Sequence, residues 1–172
     1  MRRGVAAAGS TAFFLVAPGV LTGVLPWALT RWEVRWSTGW AVPLQVLGGA
    51  LVVVGAGVLV SSFARFVREG AGTPAPVAPA EHLIVGGLYR HVRNPIYVAL
   101  IAVILGQALL LGQPVLVPYA AAVLVAVASF VHWREEPVLA ARFGSRYAEY
   151  RRAVPGWLPR LRPWQPEWDR RA

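Results

Sequence analysis

Residues 94–131 have the sequence NPIYVALIAVILGQALLLGQPVLVPYAAAVLVAVASFV, in which no residue is charged. A helix needs about 20 mostly apolar residues to cross the hydrocarbon core of a membrane, so the stretch is long enough for two crossings. Gly112-Gln113-Pro114 lies near its middle and is a turn signal. The stretch therefore predicts a hairpin of two membrane helices, at about 95–111 and 115–133.

Two further uncharged runs, 4–30 and 37–64, predict helices at about 6–29 and 41–64. Core helices of a soluble protein are the alternative, but these runs are long and lack a polar stripe. The sequence therefore predicts an all-α polytopic membrane protein with four transmembrane helices, which form a single membrane domain over 1–172.

A signal peptide is the alternative for the first run, because Arg2 and Arg3 precede an apolar segment. Pro18 and Pro26 interrupt this segment, and no small-residue cleavage site follows it. These features favour a membrane helix over a signal peptide.

The arginines predict the orientation of the chain. All 17 basic residues are Arg, and with four helices only Arg31 and Arg35 lie on the side opposite the termini. The positive-inside rule then places both termini in the cytoplasm. We expect the protein to lie in the inner membrane of the cell. The net charge of +9 lies beside the predicted helices, so it favours contact with anionic lipid headgroups over nucleic acid.

The composition also excludes some chemistry. No Cys occurs, which excludes disulfides, thiolate metal sites and a cysteine nucleophile. The three His do not pair at a metal-ligand spacing, so we expect no metal site. None of the eight Trp falls in the middle of a predicted helix, which is the aromatic-belt pattern of membrane proteins.

Two segments outside the predicted membrane helices have their own patterns. A cytoplasmic loop is expected over 65–93, and its prolines at 74, 76 and 79 indicate an extended linker or a strap over a site. After Trp133, a helix over about 134–152 is amphipathic, and we expect it to lie in the membrane interface with its apolar side down. The interfacial C-terminal region is 134–172, and the apolar side comprises Leu139, Phe143, Tyr147, Tyr150 and Val154.

Glycines in the second predicted helix admit two interpretations. Small residues let helix backbones approach closely in lipid, which is the favoured explanation for Gly48, Gly49, Gly55 and Gly57. The alternative is that Gly55-Ala56-Gly57 lets a ligand approach the backbone.

Two polar clusters, 86–97 and 132–137, flank the predicted hairpin and should meet at its cytoplasmic end. Asn94 is expected to cap the helix that begins at Pro95. Tyr89 and Tyr97 offer aromatic faces that attract a cation. Glu135 and Glu136 either pair with Arg93, Arg134 or Arg142, or receive a cationic or hydroxyl-rich ligand.

These residues resemble the signature of the isoprenylcysteine carboxyl methyltransferase and phospholipid methyltransferase family of membrane enzymes. The signature is a Gly-x-Tyr segment, an Arg-His-Pro-x-Tyr segment and, one hairpin later, a Glu-Glu pair followed by Phe-Gly-x-x-Tyr-x-x-Tyr and Val-Pro. The matching segments are Gly87-Leu88-Tyr89, Arg93-Asn94-Pro95-Ile96-Tyr97, Glu135-Glu136, Phe143-Gly144 through Tyr147 and Tyr150, and Val154-Pro155.

The resemblance implies an S-adenosylmethionine-dependent methyltransferase whose cofactor-binding part is 82–159. Its substrate is expected to be a phospholipid amine, a prenyl-type compound or another lipophilic small molecule at the cytoplasmic membrane face. Gly55-Ala56-Gly57 resembles a Gly-x-Gly of the phospholipid branch. Carried over by position, the cofactor-binding residues are His82, Leu83, Ile84, Tyr89, Asn94, Pro95, Ile96, Tyr97 and Glu135.

Two departures from the family pattern bear on the chemistry. Asn94 replaces the usual His of Arg-His-Pro and cannot titrate, so a base must lie elsewhere. Val131 stands where the prenylcysteine branch has an Arg that holds the substrate carboxylate, which weakens the case for such a substrate.

The catalytic candidates follow from the two possible kinds of acceptor. An amine must lose a proton, which Glu136 or His91 is placed to accept, and a carboxylate needs a cation, for which Arg93 is nearest in sequence. The alternative to an enzyme is a non-catalytic membrane scaffold or ligand-binding protein on the same fold. A nicotinamide-dependent reductase lacks support because no dinucleotide glycine fingerprint is present.

Overall fold

The computed structural model describes residues 16–37, 39–68 and 83–165, and these residues form helices, turns and irregular segments with no strand. Five helices are numbered here: α1 (Val16–Thr30), α2 (Val42–Arg68), α3 (Pro95–Leu111), α4 (Leu116–Phe130) and α5 (Glu136–Ala153). Residues 6–15 of the first predicted helix lie outside the described residues. The proline-rich loop segment also lies outside them.

Helix α3 is the centre of the bundle. Its buried side chains occur on several sides of the helix, and Leu100, Ile104 and Ala108 form a core with residues of α4. Helix α2 runs antiparallel to α3, because Gly48 lies against Gly106 and Leu110 whereas the later Gly55 lies against Ala99 and Val103.

Close packing explains two of the four glycines in α2. A Cβ added at Gly48 would lie 2.5 Å from the nitrogen of Leu110, and one at Gly55 would lie 2.7 Å from Cγ2 of Val103. Neither backbone could approach so closely with a larger residue. Gly57 meets nothing within 4 Å and Gly49 only a side chain at 4.0 Å, so the packing prediction is wrong for these two positions.

The outer surfaces of α2 and α4 are apolar and exposed. Val53 and Val125, for example, are 73% and 66% exposed. Large contiguous apolar surfaces are rare on soluble monomers and typical of surfaces that face lipid or a partner. Among the described residues, two helical segments, Gly39–Ser62 and Leu116–Ala153, are long and apolar enough to cross a membrane.

The two ends of the bundle are built differently. At the end that we call the closed end, residues 31–37 fold over the turn between α3 and α4. At the end that we call the site end, the start of α3 meets the connection between α4 and α5. Residues 83–94 and the chain after α5 cover the site end.

Helices α4 and α5 are joined without a break, which corrects the predicted boundary at Trp133. The chain stays helical through a π turn, Val131–Glu135, and α5 continues to Ala153. Pro137 has no N–H and its ring crowds the carbonyl of Trp133, so the regular hydrogen bond at this point cannot form. A π turn accommodates the loss without ending the helix.

The apolar side of α5 faces the protein, which corrects the expectation that it points into the membrane. Tyr147, Tyr150 and Val154 are buried, and Leu83 and Trp164 pack against them. Gly144 has φ +51°, a conformation that side chains disfavour, and it bends α5 within this packed region. The tail to residue 165 is likewise hydrogen-bonded to residues 90–94.

Candidate functional site

The two predicted polar clusters meet at the site end. The hydroxyl of Tyr97, in the first turn of α3, donates a hydrogen bond of 2.5 Å to Oε1 of Glu135 in the π turn. One Nη of Arg93 donates a hydrogen bond of 2.7 Å to Oε1 of Glu136. These contacts confirm the predicted meeting of the two corners of the hairpin.

Glu136 is neutralised by cations. Its pairing with Arg93 is shielded, since the two side chains are 15% and 12% exposed. Its second oxygen lies 3.2 Å from a guanidinium nitrogen of Arg151 and 4.0 Å from Nδ1 of His132. Both oxygens of the Glu136 carboxylate therefore already have arginine partners, which favours a structural role over the predicted role as a proton acceptor.

Arg93 makes several hydrogen bonds within the protein. Besides Glu136, it donates to the hydroxyl oxygen of Tyr147 at 3.2 Å and, through Nε, to the carbonyl of Val154 at 3.1 Å. Burial raises the pKa of Tyr147, so its hydroxyl stays neutral and can accept this bond. Arg93 therefore joins the start of α3 to both ends of α5, and these contacts favour a positioning role over the predicted contact with a substrate carboxylate.

Glu135 differs from its neighbour. It is half-buried and accepts the bond from Tyr97, but in the described part of the chain no Arg or His lies within ion-pair distance of it. Burial raises the pKa of the Glu135 carboxyl, and the hydrogen bond from Tyr97 opposes part of that rise. A partly desolvated carboxylate without a cation is costly unless a ligand supplies one.

Asn94 occupies the predicted position but not the predicted role. Pro95 is the first residue of α3, as expected, yet the Asn94 side chain makes no capping hydrogen bond. Its amide nitrogen and its backbone N–H instead donate to the carbonyl of Gly156, at 3.1 and 3.3 Å. The side chain serves as a donor to the tail, so its oxygen does not turn back to the helix.

His91 is also tied to the tail. Its Nδ1 lies 2.8 Å from the carbonyl oxygen of Arg160, and because a carbonyl only accepts, Nδ1 carries the hydrogen. The backbone N–H of Arg160 donates in turn to the carbonyl of His91. The ring is therefore fixed by Arg160, and its predicted use as a proton acceptor is left to Nε2.

The remaining predicted residues that the structure describes also lie at the site end. The carbonyl of Tyr89 accepts a bond of 2.8 Å from the Tyr150 hydroxyl. Pro95 and Ile96 are buried at the start of α3, while Leu83 packs against α5 and Ile84 is half-buried. His82 lies outside the described residues.

Sequence reasoning missed one component of the site end. Residues 154–164, which we call the C-terminal strap, run along residues 90–94 with backbone hydrogen bonds from Arg93, Asn94, Arg160 and Trp164. The strap places Trp157 beside Tyr97, with ring centroids 6.5 Å apart. The Val154-Pro155 pair could have indicated the strap, because it is the last segment of the family signature.

No group of three or more His, Asp or Glu side chains that could hold a metal occurs in the described ranges 16–37, 39–68 and 83–165. The polar groups around Glu135 and Glu136 are instead carboxylates, phenols and the guanidinium groups that pair with Glu136. This set suits an organic ligand that carries positive charge and hydroxyl groups.

Comparison with known families agrees with this chemistry. Residues 44–146 match a family described as phospholipid methyltransferase. The match covers more than half of the chain and includes both corners of the hairpin, but it ends before the C-terminal strap. No curated protein and no solved structure matches the chain significantly.

Proposed function

The chain belongs to the phospholipid methyltransferase family, and we propose that it uses S-adenosylmethionine to methylate a lipophilic substrate at the membrane surface. Membership of the family implies methyltransferase activity, association with a membrane and a substrate of lipid character. The cofactor, the face of the membrane and the roles of individual residues are the parts that we propose.

The observation that carries the proposal is that no cation pairs with Glu135 among the residues that the structure describes. S-adenosylmethionine has a sulfonium group, an ammonium group and ribose hydroxyls, all of which a carboxylate can accept. Tyr97 adds an aromatic ring, which attracts a cation. The residues at the site end therefore fit this cofactor, and we assign Glu135 and Tyr97 as its principal contacts.

We propose supporting roles for the other residues carried over from the family. Tyr89, Asn94, Pro95, Ile96, Leu83 and Ile84 would shape the cofactor site, as would His82. Arg93 and Glu136 would act as a positioning pair, because each is already engaged by the other. His91 is the remaining candidate for a proton acceptor through its second ring nitrogen.

The charges at the site end bear on the methyl acceptor. The cofactor supplies an electrophilic methyl group, and transfer leaves S-adenosylhomocysteine as the bond between carbon and sulfur breaks. A carboxylate acceptor would need a cation, but Arg93 is already ion-paired with Glu136 and Val131 provides none. The arrangement therefore favours an uncharged nucleophile, such as an amine that has lost its proton, over a carboxylate.

We also propose that α1, α2, α3 and α4 all cross the membrane, as one domain with an interfacial C-terminal region. Helices α2 and α3 are antiparallel, and the exposed outer surfaces of α1, α2 and α4 are rich in apolar side chains. With this arrangement the arginine-rich site end and both termini lie in the cytoplasm.

The decisive experiment measures cofactor binding. Purified protein in detergent or lipid nanodiscs is titrated with S-adenosylhomocysteine and S-adenosylmethionine by calorimetry. Replacement of Glu135 by Ala is expected to weaken binding by about 100-fold, because hydrogen bonds to a charged group are lost in a partly buried site. Glu33→Ala, which removes an exposed carboxylate at the closed end, is the matched control.

Two results would overturn parts of the proposal. Wild-type protein that binds neither compound would argue against the cofactor. Unchanged affinity in a folded Glu135→Ala variant would remove Glu135 from the site. A labelled-methyl assay on membranes, with the product identified by mass, distinguishes an enzyme from a protein that binds the cofactor without transferring its methyl group.

A further inference from the structure

The C-terminal strap is fixed closely against the start of α3. The backbone N–H of Arg93 donates to the carbonyl of Pro155 at 2.9 Å, and Asn94 donates twice to Gly156. Further along, Arg160 and Trp164 donate to the carbonyls of His91 and Arg90. These bonds anchor the strap on both sides of Trp157.

Gly156 allows the strap to approach this closely. A Cβ added there would lie 3.2 Å from Nη2 of Arg93 and 3.7 Å from the amide nitrogen of Asn94. The guanidinium that Glu136 neutralises therefore also forms the surface against which the strap rests. The position of the next residue, Trp157, is set by this contact.

Trp157 lies beside Tyr97, which in turn contacts Glu135. The two rings are tilted by 33°, with centroids 6.5 Å apart, and the Tyr97 hydroxyl bonds to Glu135. Trp157 is half-buried, so part of its ring is covered and part is accessible. Two aromatic rings lie beside a carboxylate with which no cation pairs in the described part of the chain, and this arrangement suits a positively charged ligand.

We infer that Trp157 is a cofactor-contacting residue whose ring, together with Tyr97 and Glu135, holds the sulfonium group of S-adenosylmethionine. This inference rests on the proposed function. It assigns part of the site to a segment beyond the residues that match the family. It also gives Asn94 a positioning role, because the two bonds from Asn94 to Gly156 hold the residue next to Trp157.

The test uses the charge difference between the two forms of the cofactor. S-adenosylmethionine carries a sulfonium, whereas S-adenosylhomocysteine has a neutral thioether at the same place. Full-length protein in nanodiscs is titrated with each compound. Trp157→Leu is expected to weaken binding of S-adenosylmethionine by about tenfold and that of S-adenosylhomocysteine much less, because only the former is a cation.

Two further variants make the test specific. Trp157→Phe keeps an aromatic face and should retain most of the preference for the charged form. Trp133→Leu makes the same change at an exposed tryptophan near the same end and should alter neither affinity. The thermal unfolding midpoint of each variant shows whether the protein is folded.

The outcomes separate the inference from the proposed function. Wild-type protein that binds neither compound would overturn both. Wild-type binding with unchanged affinities in Trp157→Leu would overturn the inference alone. Equal losses for both compounds would also overturn it, because the ring would then contact a part of the cofactor other than the sulfonium.

Discussion

The closed end and the site end of the bundle satisfy their polar groups in different ways. At the closed end, Gln113 is 1% exposed and donates to the carbonyl of Glu33, and the Trp36 ring nitrogen donates to the carbonyl of Leu109. At the site end, charged side chains bond to one another, and Glu135 has no cation within ion-pair distance among the described residues.

This difference indicates a structural role for the closed end and a ligand-binding role for the site end. Neutral side chains that donate to backbone carbonyls leave no net charge behind, so the closed end is stable without a ligand. In the described part of the chain, the site end combines an ion pair, Arg93 and Glu136, with a second carboxylate, Glu135, that has no cationic partner. We therefore expect substitutions at the closed end to affect stability alone. At the site end, substitutions that break the pair of Arg93 and Glu136 should affect stability, and substitutions of Glu135 should affect ligand binding.

The largest effect on stability is expected from Arg93→Ala. Removing one partner of a shielded ion pair leaves the other charge poorly compensated, which costs about 3 kcal/mol of unfolding free energy. Arg151→Ala, which removes a partner of Glu136 that is 53% exposed, is the control and should cost under about 1 kcal/mol. Denaturation in mixed micelles measures both, and equal losses would contradict the distinction between a shielded and an exposed arginine.

A smaller effect is expected at the closed end from Gln113→Leu. The substitution keeps a similar volume but removes the donor to the carbonyl of Glu33, at a cost of about 2 kcal/mol. Cofactor affinity should not change, since the site lies at the other end of α3. Gln45→Leu, at a half-buried position near the start of α2, is the control. Loss of affinity in folded Gln113→Leu protein would show that the two ends are coupled.

The smallest effect concerns pH. Because burial raises the pKa of Glu135, its carboxylate is lost at a higher pH than an ordinary Glu. Affinity for S-adenosylmethionine should fall as the pH drops through this raised pKa, by up to about tenfold per pH unit. Glu135→Gln should remove this dependence.

The stability that Glu135 contributes should change with pH in the opposite direction. A carboxyl with a raised pKa in the folded state binds protons more readily there than in the unfolded chain, so its contribution falls as the pH rises through the folded pKa. The difference in unfolding free energy between wild type and Glu135→Gln measures this contribution. A parallel change of stability and affinity with pH would contradict the assignment.

The sequence was sufficient to predict the hairpin and its polar corners. The uncharged stretch and the turn at Gly112-Gln113-Pro114 predict α3 and α4, and the antiparallel pair brings Tyr97 to Glu135. Helix lengths and turn residues are local signals, so they could be read along the chain. The family resemblance on the same residues is confirmed by the match over 44–146.

The contacts of the strap could not be predicted from the same signals. Residues 154–164 have no helical or strand period, and their hydrogen bonds to residues 90–94 join parts of the chain that are far apart in sequence. Asn94 illustrates the difference: its position before Pro95 predicts a cap, but the carbonyl of Gly156 competes for the side chain. Packing of the strap also covers the apolar side of α5, which the sequence pattern assigned to the membrane.

The π turn affects how the side chains of α4 and α5 are directed relative to one another. In a regular α-helix each residue advances the direction of the side chains by about 100°, so the facing of α4 would dictate the facing of α5. The turn at Val131–Glu135 breaks that dependence. The packing direction of α4 and the direction of the Glu135 carboxylate toward Tyr97 are therefore not tied to one regular helical register.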